Sequence, residues 1–209
     1  MAREGRARAR RRRARGLARP ARRVRDARRR SAAAMSGRGT LHRFAIELEH
    51  APTSARATLE HALMSHPSET DERFVLRALA ACIEHAPGLA FGPPLCRDDE
   101  PALGRRDDHG RWALWIEFGE PQPDRLRRAL SGADRMVVVT SAPSKPWLAK
   151  MREFRWPKKS RVEIIEVEQS LVRSLGAALD RQNRWRVRVD ADSIECNGVT
   201  GALRRTALT

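Results

Sequence analysis

The sequence predicts a single α/β domain over residues 35–209, with a mixed central sheet flanked by helices. Stretches of strand length alternate along the chain with amphipathic stretches of helix length. One strand-like stretch, MVVVT at 136–140, is almost wholly apolar, which is typical of a central strand covered on both faces. A turn signal at 108–110 joins two further strands as an antiparallel pair. Together these patterns indicate one sheet with both parallel and antiparallel neighbours.

Strands are predicted where apolar and polar residues alternate, or where a short apolar run lies between turn signals. The first alternating stretch is LHRFAIELEH, at residues 41–50. The turn Asp108-His109-Gly110 is expected to centre a hairpin within residues 96–121. The remaining strands are predicted at 112–118, 136–140, 162–167 and 185–194.

The first helix is the most clearly signalled, and we expect it over residues 65–86. Ser65 or Ser68 can cap it, Pro67 suits its first turn, and Pro87 with the following glycine ends it. Shorter helices are predicted at 124–130, 146–154 and 168–180, each from a run of helix-forming residues after a strand.

The net charge of +16 is concentrated at the start of the chain. Residues 1–34 hold fifteen Arg and two acids, a net of +13, which leaves +3 for residues 35–209. This Arg- and Ala-rich extension contains too few large apolar residues for a core, so we predict that it is disordered. Such a run can bind phosphate backbones without sequence preference. Alternatively, Met35 is the true start, and the extension is a translated upstream region.

Several classes of function have no support in the sequence. No long apolar span and no signal-peptide core are present, so no membrane segment is expected. Cys82, Cys96 and Cys196 lie far apart without metal-ligand spacing, which is typical of reduced thiols in a cytoplasmic protein. There is no phosphate-binding Gly-rich loop, HExxH motif or paired CxxC motif.

Acidic residues are expected to converge at one end of the hairpin. If opposed residues sum to about 219, Glu117 faces Ala102, and the preceding segment RDDEP brings Asp98 and Asp99 close to it. Carboxylates from separate elements suit Mg²⁺ or Mn²⁺, and without a cation they would repel each other. The alternative is a solvated acidic turn, with Glu117 paired to an arginine.

A third acid lies in the first predicted helix. Counting in threes and fours from Glu69 reaches Leu76 and Leu79, which places this carboxylate on the apolar face. A buried acid needs a partner. Alternatively, Glu69 lies in a frayed first turn and only accepts hydrogen bonds from backbone N–H groups.

Three long motifs occur in the order HPSETDERFVLRALA, LCRDDEPAL and LWIEFGEPQPDRLRRA. With them, the chain resembles the YaeQ family of bacterial proteins over nearly all of residues 35–209. The resemblance implies a variant of the PD-(D/E)XK nuclease fold. It also implies that Glu69, Asp98, Asp99 and Glu117 hold Mg²⁺ or Mn²⁺, which would bind a scissile phosphate of nucleic acid and activate water.

The chain departs from the nuclease pattern at one important position. Nucleases of this fold carry a lysine two residues after the strand glutamate, and this chain has Gly119 there. Lys145 is the substitute cation that chain order favours, and Arg73 is another. Two functions are therefore expected: a metal-dependent phosphodiesterase with Glu69, Asp99, Glu117 and Lys145 as catalytic groups, or a non-catalytic binding or regulatory protein on a nuclease scaffold.

Overall fold

The computed structural model describes residues 39–92, 100–157 and 161–208. Residues 1–34, for which disorder is predicted, lie outside these ranges, and so do the acids Asp98 and Asp99. Within them, ten strands form one continuous sheet and four α-helices pack on it, so the single mixed α/β domain is confirmed.

The order of strands in the sheet is β2-β1-β8-β9-β10-β7-β6-β5-β4-β3. The strands are β1 (Leu41–His50), β2 (Ala55–Met64), β3 (Ala90–Phe91), β4 (Leu103–Arg106), β5 (Trp112–Phe118), β6 (Ala133–Thr140), β7 (Val162–Val167), β8 (Gln182–Val189), β9 (Ser193–Cys196) and β10 (Val199–Ala207). The helices are α1 (Asp71–Ile83), α2 (Pro123–Leu130), α3 (Lys145–Glu153) and α4 (Gln169–Ala177). Strands β5, β6 and β7 are parallel neighbours, β1 is parallel to β8, and the other pairs are antiparallel.

The sheet curls around helix α1. Every α1 residue from Phe74 to Ile83 is buried, and buried side chains of nine strands, all except β3, pack in the same core as α1 and α4. The rings of His61 on β2 and Phe91 on β3 lie 5.1 Å apart, although these strands are at opposite ends of the sheet order. The edges of the sheet therefore approach each other around the helix.

Helices α2 and α3 pack on the outer face of β5, β6 and β7. A second core fills this layer, with Trp115 and Met136 from the sheet against Leu126 from α2 and Met151 from α3. Along β1 and β8, exposed residues alternate with buried ones, so the outer face of these two strands is exposed while their inner face is buried. None of the four helices in the described ranges combines the length and the apolar character needed to cross a bilayer.

An ionic network closes the C-terminal end of α1. Glu84 follows the helix, and it accepts hydrogen bonds from Arg135 on β6 (2.5 Å) and Arg205 on β10 (2.8 Å). Glu163 on β7 pairs with the same two arginines. Burial disfavours the charge of Arg135, but its hydrogen bonds to Glu84 and Glu163 raise its pKa above the ordinary value. An acid is unfavourable at the negative end of a helix, and these two cations offset that cost.

The structure corrects several predicted boundaries. Helix α1 begins at Asp71 and not at residue 65, because Thr70 caps it by accepting the Arg73 N–H, while a turn at residues 66–69 precedes it. Strand β2 was not predicted, and the strand expected at 185–194 is divided between β8 and β9. The hairpin register is confirmed, since Leu103 pairs with Ile116 and the sum of 219 holds as far as a bulge after Arg105.

We predict that Leu79→Ala destabilises the protein by about 2–5 kcal/mol, because it leaves a cavity in the wholly buried helix inside the curl. Leu41→Ala is the matched control, since Leu41 is 40% exposed, and it should cost less than about 0.5 kcal/mol. Urea unfolding measures both. Similar losses for the two variants would contradict the central position of α1.

Candidate functional site

Glu69 lies just before the N-cap of α1, and its side chain is only 7% exposed. Its Oε2 accepts a hydrogen bond from Arg77 Nη1 at 2.9 Å and one from the His66 N–H at 3.3 Å. Arg73 Nε lies 3.7 Å from Oε1. Both arginines belong to α1, so the carboxylate is the counter-ion of its first two turns. Its predicted burial is confirmed, but it precedes the helix.

Glu117 lies on β5, the third strand from one end of the sheet, and is 3% exposed. Trp115 Nε1–H donates a hydrogen bond to Glu117 Oε1 at 2.9 Å, and Arg125 on α2 donates to the same oxygen at 3.0 Å. The alternative in which Glu117 pairs with an arginine is therefore observed. One donor lies two residues away on the same strand and the other lies on the adjacent helix, so these hydrogen bonds fix the position of the carboxylate between β5 and α2.

No described hydrogen bond or ion pair joins Glu69 to Glu117. Strand alternation places Glu117 on the face of Trp115, in the layer of α2 and α3. Its neighbours Ile116 and Phe118 point to the opposite face, where they share a core with α1, and Glu69 is bound to α1. No group of three His, Cys, Asp or Glu side chains suited to a metal occurs within residues 39–92, 100–157 and 161–208.

The described residues alone therefore show no complete ligand set for the expected Mg²⁺ or Mn²⁺ ion. Each of the two glutamates pairs with a guanidinium group, so a cation bound there would share the carboxylate with that arginine or displace it. Asp98 and Asp99 lie outside the described residues, so a metal site that includes them stays a prediction.

Gly119, at the position of the missing lysine, has a conformation that suits glycine. Its φ is +78°, and a Cβ built there would lie 2.9 Å from Arg73 Nη1. The same Nη1 donates a hydrogen bond to the Phe118 carbonyl oxygen at 2.7 Å. Arg73 thus brings a cation from α1 to the carboxyl end of β5, next to the position where a lysine side chain would begin.

Lys145 is the first residue of α3 and is exposed. In the described part of the chain, it makes no side-chain hydrogen bond or ion pair with Glu69 or Glu117. The neighbouring Ser144 caps α3, and Glu120 accepts hydrogen bonds from both its N–H (2.6 Å) and its hydroxyl (2.8 Å). The contacts around the start of α3 therefore stabilise the helix end, and the catalytic role of Lys145 stays a prediction.

The two thiols that the structure describes are poorly suited to nucleophilic chemistry. Cys82 on α1 and Cys196 on β9 are both free and buried. Burial raises the pKa of both thiols, that of Cys196 to about 12, so the reactive thiolate is disfavoured at neutral pH. Cys96 lies outside the described residues.

Arg77 and Arg125 are the site residues that the sequence analysis missed. Each follows its acid by eight residues, but along different paths: Arg77 reaches back from the second turn of α1, and Arg125 crosses from α2 to the sheet. The only available signal was the helical spacing of Glu69, Arg73 and Arg77 in fours. It indicates neighbouring side chains on a helix, but it does not identify burial.

The fold and these contacts define a class of protein: a mixed α/β domain whose ten-stranded sheet curls around a central helix and whose buried acids pair with arginines. The chain belongs to the YaeQ family, whose model matches residues 35–204.

Two relatives show the extent of the similarity. The chain is 33% identical over 106 residues to the uncharacterized protein YaeQ of Escherichia coli K12, a match that covers 51% of this chain and 59% of that protein. It is 40% identical over 76 residues to the uncharacterized protein YaeQ of Salmonella typhi, covering 36% and 42% of the two chains. The matched region therefore spans less than two thirds of each relative.

Two crystal structures share the fold. The YaeQ protein from Xanthomonas axonopodis pv. citri is 28% identical, with a TM-score of 0.72, and the match covers 80% of this chain and 97% of that one. The YaeQ protein from Pseudomonas syringae is 25% identical, with a TM-score of 0.70, and the match covers 82% and 96%.

We predict that Glu117→Gln destabilises the metal-free protein by about 1–3 kcal/mol, because it removes the carboxylate that neutralises Arg125 in a buried layer. Glu60→Gln changes an exposed glutamate on β2 and should have little effect. Chemical denaturation in EDTA measures both variants. A more stable Glu117→Gln protein would instead indicate repulsion between acids.

We predict that Gly119→Ala costs about 1–2 kcal/mol from the positive φ alone, with a further loss from the contact with Arg73. In an Arg73→Ala background, the same substitution should cost less, because the contact is gone while the backbone strain remains. Thermal and urea unfolding of the four proteins in this cycle test the prediction. An equal cost in both backgrounds would remove Arg73 from the vicinity of Gly119.

Proposed function

We propose that this chain is a non-catalytic binding protein on a variant of the PD-(D/E)XK nuclease scaffold. The order of its elements supports the scaffold, since α1 is followed by the strands β3, β4 and β5, then by α2 and β6. The nuclease fold that the resemblance implies has the same order: a helix, a strand meander, a second helix and another strand.

The proposal rests on one observation: the candidate ligands Glu69 and Glu117 each pair with an arginine. Catalysis by two metal-binding glutamates needs their oxygens to face one substrate pocket. Here Glu117 is enclosed by Trp115 and Arg125 in the outer layer, while Glu69 neutralises Arg77 on α1. Removal of either partner of such a pair would leave an uncompensated buried charge, so each acid is needed where its arginine is buried.

A metal-dependent nuclease is the second candidate, and one observation favours it. The Arg73 guanidinium lies at the carboxyl end of β5 beside Gly119, and its side chain is 41% exposed. A cation at this position could stabilise charge on a phosphate, as the missing lysine does in nucleases. In this case Asp98 and Asp99 would supply the metal ligands, and Glu69 and Glu117 would have to exchange arginine for Mg²⁺ or Mn²⁺.

We predict that the full chain, purified free of contaminating nucleases, does not cleave labelled single- or double-stranded DNA or RNA in Mn²⁺ or Mg²⁺. Its melting temperature should be the same in Mn²⁺ and in EDTA, because the described carboxylates already have cationic partners. Asp99→Asn is the control variant. Cleavage that requires metal and disappears in a folded Asp99→Asn protein would establish the nuclease.

A further inference from the structure

Three arginines of the outer layer line a pocket that contains neither Glu69 nor Glu117. The pocket has a volume of about 560 Å³ and lies between the end of α2 and the segment after α3. Its described lining contains three arginines and no acid. The lining residues are Arg127, Arg128, Ser131, Arg155, Trp156 and Pro157.

Local packing explains why the arginines point outward. Leu126, Ala129 and Leu130 bury one face of α2, which leaves Arg127 and Arg128 exposed in its last turn. After α3, Trp156 is buried in the same core, and its indole N–H donates a hydrogen bond to the Met151 carbonyl oxygen. Anchoring of Trp156 exposes the preceding Arg155 at the rim of the pocket.

Two of these guanidinium groups have no acidic counter-ion in the part of the chain that the structure describes. Arg127 lies 3.4 Å from Asp124, a pair in which both side chains are more than half exposed. For Arg128 and Arg155, no carboxylate is within ion-pair distance among the residues that the structure describes. Backbone N–H groups of Ser131 and Gly132 satisfy carbonyls at the end of α2, which reduces the number of acceptors that would repel an anion.

The pocket is part of a wider basic region. Residues 119–161 contain eleven Lys and Arg and four Asp and Glu, a net charge of +7, whereas residues 35–209 together have only +3. The rest of residues 35–209, outside 119–161, therefore has a net charge of −4. An excess of cations in one segment of the chain favours a polyanion over an isolated anion.

We propose that the pocket of Arg127, Arg128 and Arg155 binds a phosphate group of a nucleic-acid backbone. This inference rests on the proposed binding function and names its ligand. Guanidinium groups donate paired hydrogen bonds to phosphate oxygens, and the exposed arginines can converge on one phosphate without separation from a buried partner. Trp156 serves as the wall of the pocket, because its N–H is already bound to Met151.

The test measures hydrogen exchange of the full chain with and without a short DNA duplex, because local protection separates the pocket from the basic residues 1–34. Protection is expected at residues 127–131 and 154–157. In Arg128→Gln/Arg155→Gln, this protection should disappear, the affinity should fall several-fold, and the slope of log affinity against log salt should decrease by about 1, because one phosphate contact is lost.

Arg43→Gln/Arg184→Gln is the matched control. It removes two exposed arginines from β1 and β8 on the open face of the sheet, neither of which has an acid partner within the described residues. It should retain the pocket's protection and the parental salt slope. Circular dichroism and melting temperature verify that both double variants are folded.

Duplex binding without protection at the pocket, or equal losses in the two double variants, would overturn the inference. Protection by inorganic phosphate but not by the duplex would overturn the choice of ligand. Cleavage of the duplex in Mn²⁺ would overturn the proposed non-catalytic function but not the pocket, so the failures of the two proposals are distinguishable.

Discussion

The burial of α1 inside one curled sheet is the constraint on which the rest of the structure depends. A helix enclosed on all sides cannot expose its charged residues freely, so the charges near its ends need partners within the protein. Glu69 supplies a counter-ion for Arg77 at the start of the helix, and Arg135 and Arg205 supply cations for Glu84 at its end. The acids and arginines of the inner core are therefore linked to the curvature of the sheet.

Because of the same constraint, the acids of the nuclease-like motif act as counter-ions for arginines. An inward-facing acid before the first helix and a buried acid on β5 suggest a shared metal site when their sequence positions alone are considered. In the structure, Glu117 lies in the layer of α2 and α3, Glu69 lies beside α1, and each acid pairs with an arginine. Similar residue types at similar positions can thus serve charge compensation in the core, and the fold alone does not identify the chemistry.

Local features of the sequence predicted their structures well. The turn at 108–110 determined the pairing of Leu103 with Ile116, because a short hairpin loop fixes its own register. Strand β2 was missed because ARATLEHALM is rich in residues that favour helices, and its conformation depends on pairing with β1. The pairing of Glu117 with Arg125 depends on how α2 packs across β5, and no sequence spacing specifies that geometry.

The central claim is that the buried acids are structural counter-ions, and a double-mutant cycle on Glu69 and Arg77 tests it most directly. Glu69→Gln, Arg77→Met and the double variant would be unfolded in EDTA and again in Mn²⁺. The account predicts a favourable coupling energy of about 1–3 kcal/mol in EDTA that Mn²⁺ leaves unchanged. Negligible coupling in EDTA, together with stabilisation of the parent by Mn²⁺ that Glu69→Gln abolishes, would contradict it and make Glu69 a metal ligand.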